Sequence, residues 1–145
     1  MRILLRQPLA RRWTLAVAGL LAWQLAAAGP ATAHPGHLDP SFGGDGKVTT
    51  AFAGDAGANA VAVQDGKVVA AGFAVVGTTV DFALARYHRD GTLDRSFGTG
   101  GRVTTDFAGG EDRAEGLVLQ GDRLVAAGST IGVSGGQRFA LARYR

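Results

Sequence analysis

The sequence predicts an all-β protein: two four-stranded antiparallel sheets of like sequence, set behind an N-terminal signal peptide. Three observations carry this. A stretch of 15 residues beginning at Leu38 returns at Leu93 with 10 identical positions. Gly supplies 23 of the 145 residues while only 19% are charged, a turn-rich composition that is neither disordered nor helical. Short apolar runs are bounded by Asp-Gly and Gly-Asp pairs, the chemistry of tight hairpins.

Residues 1–33 have the three parts of an export signal. Arg2, Arg6, Arg11 and Arg12 make a positive start, Trp13 to Ala28 an apolar stretch, and Gly29-Pro30 a break. Ala31-Thr32-Ala33 then offers a small-x-small cleavage site, so the mature chain is expected to begin at His34 and to be secreted or extracytoplasmic. The apolar stretch contains Gln24 and falls short of the ~20 residues that span a bilayer, which argues against an uncleaved anchor. Arg11-Arg12 before Trp13 hints at a twin-arginine signal, but Thr14 and Leu15 fit that pattern poorly, so the general export route is favoured with the twin-arginine route as the alternative.

Removing the signal changes the charge. The whole chain carries +3, but residues 34–145 keep 11 basic and 12 acidic residues, a net −1. Nucleic-acid binding loses its electrostatic basis, and so does a polybasic membrane patch. The absence of Cys excludes disulfides, thiolate metal sites and thiol nucleophiles.

Past a flexible start at 34–37, the chain reads as one unit written twice, 38–92 and 93–145. Leu38 to Phe52 matches Leu93 to Phe107 at an offset of 55, Val68 to Gly72 matches Leu124 to Gly128 at 56, and Phe82 to Tyr87 recurs unchanged as Phe139 to Tyr144 at 57. The offset grows in turn-like stretches, where insertions are tolerated. Each unit predicts four strands: 47–52, 58–64, 67–73 and 81–87, then 102–107, 114–120, 123–129 and 138–144. Asp65-Gly66 and Gly121-Asp122 supply the two-residue turns between the middle strands, and Asp90-Gly91 turns the chain into the second unit.

The side-chain pattern predicts how the sheets pack. Along Phe82 to Tyr87 one face carries Phe82, Leu84 and Arg86, the other Ala83, Ala85 and Tyr87; Val68 to Val76 is apolar on both faces. A sheet with one wet face alternates apolar with polar. Neither face here is clearly wet, so small faces are expected to stack on large ones, as the blades of a β-propeller do. A helix for Phe-Ala-Leu-Ala-Arg-Tyr is the competing local reading, disfavoured by its length and flanking turns.

The string Asp90-Gly91-Thr92-Leu93-Asp94-Arg95-Ser96-Phe97-Gly98, with Gly101 to Thr105 and the following Phe-Ala-Leu-Ala-Arg-Tyr, resembles the bacterial delta-60 repeat. The resemblance covers residues 38–145. It implies tandem β-propeller units in an extracytoplasmic setting, and it brings no established reaction or catalytic residue. A closed propeller needs about four to eight blades, and two units leave blade faces and sheet edges open. Ring completion by copies of the chain, a truncated member of a longer repeat family, and two sheets standing as an incomplete sandwich all fit. The expected partners are therefore the chain itself or a surface polymer or protein.

No catalytic, cofactor or metal site is expected. Gly132-Val133-Ser134-Gly135-Gly136 matches a nucleophile-elbow pattern, but an elbow needs a following helix and a downstream His, and the last His is His88. Gly43-Gly44-Asp45-Gly46 lacks the nine-residue period of calcium-binding repeats, and Asp90 to Asp94 lacks the ligand spacing of an EF-hand. His34-Pro35-Gly36-His37 could offer nitrogen ligands to copper, with His88 as a distant third, but reads as a disordered start. The shared polar residues Asp39/Asp94, Ser41/Ser96, Thr49/Thr104, Thr50/Thr105 and Arg86/Arg143 read as turn caps and Arg–Asp pairs between blades, the alternative being one ligand pocket per blade. Asp81, Glu111, Asp112 and Glu115, which lack acidic repeat-mates, read as solvated surface. The leading expectation is a non-enzymatic binding or structural module; a sugar-active or metal-dependent enzyme is the alternative.

Overall fold

The structure is a computed structural model that describes residues 35–107 and 109–145. The signal peptide, its cleavage residues Ala31 and Ala33, and His34 lie outside the described residues. Seven strands and no helix form among the described residues: β1 (Ala56–Gln64), β2 (Lys67–Val76), β3 (Thr79–Tyr87), β4 (Arg102–Thr105), β5 (Glu111–Gln120), β6 (Arg123–Ile131) and β7 (Gln137–Tyr144). Both copies of Phe-Ala-Leu-Ala-Arg-Tyr are strands, as their flanking turns predict.

β1, β2 and β3 form an antiparallel meander, and β4 adds to the outer edge of β3 with Phe82 opposite Thr105 and Ala85 opposite Arg102. β5, β6 and β7 repeat the meander, joined to the first by a single parallel bridge, Val80 to Glu111. The sheet is thus out of phase with the sequence repeat: the first strand of the second unit completes the blade of the first. This explains a correction. The strand expected at 47–52 does not form. Its repeat-mate β4 is a strand because β3 offers it an edge, and 47–52 has no such edge beside it.

Local chemistry sets the turns. Asp65 and Gly66 both have positive φ (51° and 75°), the type I′ geometry, with Gln64 and Lys67 paired around them. At the matching turn Gly121 has φ 62° while Asp122 does not turn positive, so this hairpin is type II′. β1 and β5 each carry a bulge at the same place, at Asn59 and Glu115. Opposite each bulge stands a Gly, and a Cβ on Gly72 or Gly128 would run into the carbonyl oxygen of Gly57 or Arg113. The close approach, rather than φ, demands glycine there.

The core lies between the two meanders. Val69, Ala71, Phe82 and Leu84, the large face of the first, pack on Ala114, Leu124, Ala126 and Ala140, the small face of the second. Phe82, Leu84, Val69 and Leu124 are fully buried, each contributing about 1.5–3 kcal/mol by transfer from water. Phe107 meets Phe82 edge-on at 4.9 Å between ring centroids. Across the seam Asn59 donates to Ala114 O (2.9 Å), Gln64 donates to Asp122 O (2.6 Å), and the Arg113 guanidinium covers the Phe73 ring. Large face on small face is the predicted stacking.

Candidate functional site

The stacking uses one face of each meander and leaves the other uncovered. On the second, Phe139 is 95% exposed and Leu141 64%, although their repeat-mates Phe82 and Leu84 are both at 0%. On the first, the small face formed by Val68, Ala70, Gly72, Ala83, Ala85 and Tyr87 floors an apolar cleft of about 510 Å³. Phe42, Val48, Thr50 and Phe52 line the same cleft. Tyr87 donates to Thr50 Oγ1 at 2.7 Å, as Tyr144 and Thr105 are linked at 3.0 Å in the second unit. Segment 47–52 therefore lies over the first small face as β4 lies over the second, but without a sheet partner.

A polar clasp repeats the same asymmetry. Asp94 is buried; its Oδ2 accepts from Lys67 Nζ (2.7 Å) and Arg86 Nε (2.8 Å), and its Oδ1 from the Ser96 amide and hydroxyl. The Lys67 ammonium foremost, then the Ser96 hydroxyl, hold the Asp94 carboxyl well below the usual carboxylate range. Arg86 also donates to Gln64 Oε1 and covers the Phe97 ring at 4.5 Å. The Asp–Ser turn cap read from the sequence is present here, and so is an Arg–Asp pair, although it ties β3 to the connection that leads into β4 within one blade rather than one blade to the next. Their repeat-mates are half-made: Asp39 caps Ser41 without an ion-pair partner among the described residues, and exposed Arg143 reaches only Gln120, at 3.4 Å.

A second feature sits where the outer edge of β3 passes from β4 to β5. The Phe82–Thr105 pair brings Asp106 beside Asp81, and the Val80–Glu111 bridge brings Asp112 beside it from the other side. One carboxylate oxygen from each of the three lies within 4.8 Å of the others. Asp81 (6% exposed) and Asp112 (0%) are buried, which corrects their reading as solvated surface. Glu111 and Glu115 are exposed, as read. Thr79 Oγ1 donates to Asp81, the Gly109 amide to Asp106 Oδ1, and the Phe107 amide to Asp112 Oδ2. Asp112 Oδ1 and the hydroxyl of Thr130, its cross-strand neighbour, are buried without a hydrogen-bond partner. The overlooked signal was positional: the repeat-mates of the three acids are Arg138, Ala51 and Ala56, so the departures from the repeat converge on one point.

The remaining candidates are turns. Ser134 is exposed in the β6–β7 connection, where Gly135 N–H bonds Gly132 O and a strand follows, so no elbow forms. Asp45 accepts from the Lys47 amide, and Asp90 from the Thr92 amide and hydroxyl, as turn-formers do. Thr49 and Thr104 are both exposed and make no repeated pocket with Asp39 and Asp94.

Two antiparallel meanders of one repeated sequence, stacked large face to small face, define a partial β-propeller. A family model described as "Domain of unknown function (DUF5122) beta-propeller" matches residues 64–97, from the end of β1 to the clasp at Asp94 and Phe97. No curated protein and no solved structure gives a match.

Proposed function

We propose that the chain is an exported, non-enzymatic propeller module that works by head-to-tail association with copies of itself. One observation carries the reading: Phe139 is 95% exposed at the position where Phe82, its repeat-mate, is at 0%. Inside the chain, Phe82 packs with the small-face residues Ala114, Leu124, Ala126 and Ala140 of the second meander. The large face of one copy seats on the small face of the next, so that Phe139 and Leu141 enter the cleft over Ala70, Ala83 and Ala85. Segment 47–50 of that next copy pairs with β7 in the register β4 uses on β3, with Val48 opposite Leu141, and its Phe52 meets Phe139 as Phe107 meets Phe82. Arg143 reaches Asp39 as Arg86 reaches Asp94. Four incomplete halves thus find partners in one operation. A closed ring of about four to eight blades takes about two to four copies. The delta-60 resemblance and the signal-like N-terminus support an extracytoplasmic setting.

Light scattering on the full chain tests this, together with cross-linking made clean by the absence of native Cys. A discrete oligomer is expected, with Leu141→Cys and Val48→Cys chains forming a disulfide when mixed and neither doing so alone. A chain monomeric at every concentration, or equal cross-linking of either variant with itself, refutes the assembly. N-terminal sequencing of the secreted product tests export: a start at His34 supports it, and an intact Met1 in the cytoplasm overturns it.

A further inference from the structure

We propose that Asp81, Asp106 and Asp112, with the Thr130 hydroxyl, form a Ca²⁺ site that pins the two meanders at their junction. The argument starts from charge. Neither Asp81 nor Asp112 has an ion-pair partner among the described residues, although both are buried and their oxygens lie within 4.8 Å of each other. Buried carboxylates this close repel and are starved of solvation, so the arrangement calls for a counter-charge.

Two further atoms point the same way. Asp112 Oδ1 and Thr130 Oγ1 are fully enclosed and unpartnered, and cross-strand neighbours leave the sheet on the same side. A buried acceptor without a donor is costly, and a cation satisfies several such oxygens at once. The donors are all oxygen, which suits a hard cation and neither zinc nor copper. The three oxygens lie within 4.8 Å of one another, inside the span of about 5 Å between two oxygens on opposite sides of a Ca²⁺. A site assembled from three separate segments suits the flexible coordination of Ca²⁺ better than the strict octahedron of Mg²⁺.

The position gives the site a purpose. Asp81 belongs to the first meander, Asp112 to the second, and Asp106 to the connection between them. Among the described residues, the backbone joins the two sheets here by the Val80–Glu111 bridge and the Val80 N–H to Gly110 O bond (3.2 Å) alone. A cation held by all three segments would fix the angle between the blades. The acids have no counterparts in the other copy of the repeat, as expected of a device that serves one junction.

Calorimetric titration of the full chain, stripped with chelator, tests the proposal with CaCl₂ and MgCl₂ as separate probes. The expected result is one Ca²⁺ site with a dissociation constant at or below about 10⁻³ M, the range of extracellular modules. Mg²⁺ should bind at least about tenfold more weakly, and Ca²⁺ should raise the melting temperature. Asp81→Asn and Asp106→Asn should each weaken Ca²⁺ binding at least about tenfold. Asp122→Asn, on an exposed hairpin, should leave it unchanged. Asp106 is exposed, so its variant keeps the test open should Asp81→Asn fail to fold. No heat and no melting shift up to about 10 mM Ca²⁺, an equal response to Mg²⁺, or Asp106→Asn binding like wild type would overturn the assignment.

Discussion

Phe82 and Phe139 occupy the same place in the repeat and opposite environments, so replacing each by Ala gives a matched pair with a worked difference. Phe82 is fully enclosed, packed beside Leu84 and edge-on to Phe107 at 4.9 Å. Phe82→Ala removes buried area and leaves a cavity, a loss of about 3–5 kcal/mol, of which the aromatic pair accounts for about 0.5–1.5 kcal/mol. Domains of this kind have about 5–15 kcal/mol in all, so this one change takes a large share. Phe139, 95% exposed in the single chain, has almost nothing to lose. Phe139→Ala should stay within about 0.5 kcal/mol when chains are dilute and separate.

Concentration separates the alternatives. If Phe139 enters a Phe82-like site in the assembly, its removal costs about 3 kcal/mol per interface, a fall of more than about a hundredfold in association. Urea unfolding at several protein concentrations reads both quantities. The wild-type midpoint should climb with concentration, the Phe139→Ala midpoint should stay flat, and Phe82→Ala should be low throughout. Equal destabilisation by the two variants at the lowest concentration, or a wild-type midpoint indifferent to concentration, refutes the reasoning.

Two further outcomes follow from single contacts. Gly72→Ala should cost about 1–3 kcal/mol in urea unfolding, because its Cβ collides with the Gly57 carbonyl at the bulge, whereas a Cβ on Gly116 meets only the Ala127 carbonyl oxygen at 4.0 Å, an ordinary contact, and Gly116→Ala should cost less. The depressed carboxyl of Asp94 adds stability that is complete above its unfolded value near 3.8 and is lost as pH falls through its lower folded value; Asp94→Asn should therefore flatten the acid limb of a stability-against-pH curve.

Features written locally or repeated were legible in the sequence. Asp65-Gly66 specifies its own turn, and the identical Phe-Ala-Leu-Ala-Arg-Tyr strings fixed both β3 and β7 with their large and small faces. The alternation also gave the stacking of unlike faces. Features that depend on a neighbour were not legible. Residues 47–52 carry the same Val-Thr-Thr as β4, yet a strand exists only where another offers its edge, and sequence identity cannot report an empty edge. The carboxylate cluster was missed for a related reason. Asp81 and Asp112 look like surface when each is weighed alone, since charged residues are rarely buried unpaired. Their meeting depends on the register at which β3 hands its edge from β4 to β5. The bulge-facing Gly72 and Gly128 were readable in principle, as glycines shared at one strand position.

The mismatch between sequence unit and sheet unit constrains any assembly. In the proposed assembly the first unit lends residues 47–50 to the blade of one neighbouring copy and β7 receives that segment from another, so the two contacting faces are unlike. Large face and small face cannot both be covered by a twofold axis, which brings like surface to like surface. Only a head-to-tail contact repeats the internal seam, and such contacts either close into rings or run on as filaments. Which of these occurs depends on the rotation from one blade to the next, the rotation that the proposed cation site would fix inside the chain at Asp81, Asp106 and Asp112. If the cation fixes that angle, its removal should do more than lower stability: it should broaden a discrete oligomer into a range of sizes. Light scattering in chelator against Ca²⁺ therefore joins the two proposals. A size distribution unchanged by chelator, in a chain that both assembles and binds Ca²⁺, would mean that the seam between faces sets the rotation without help from the junction.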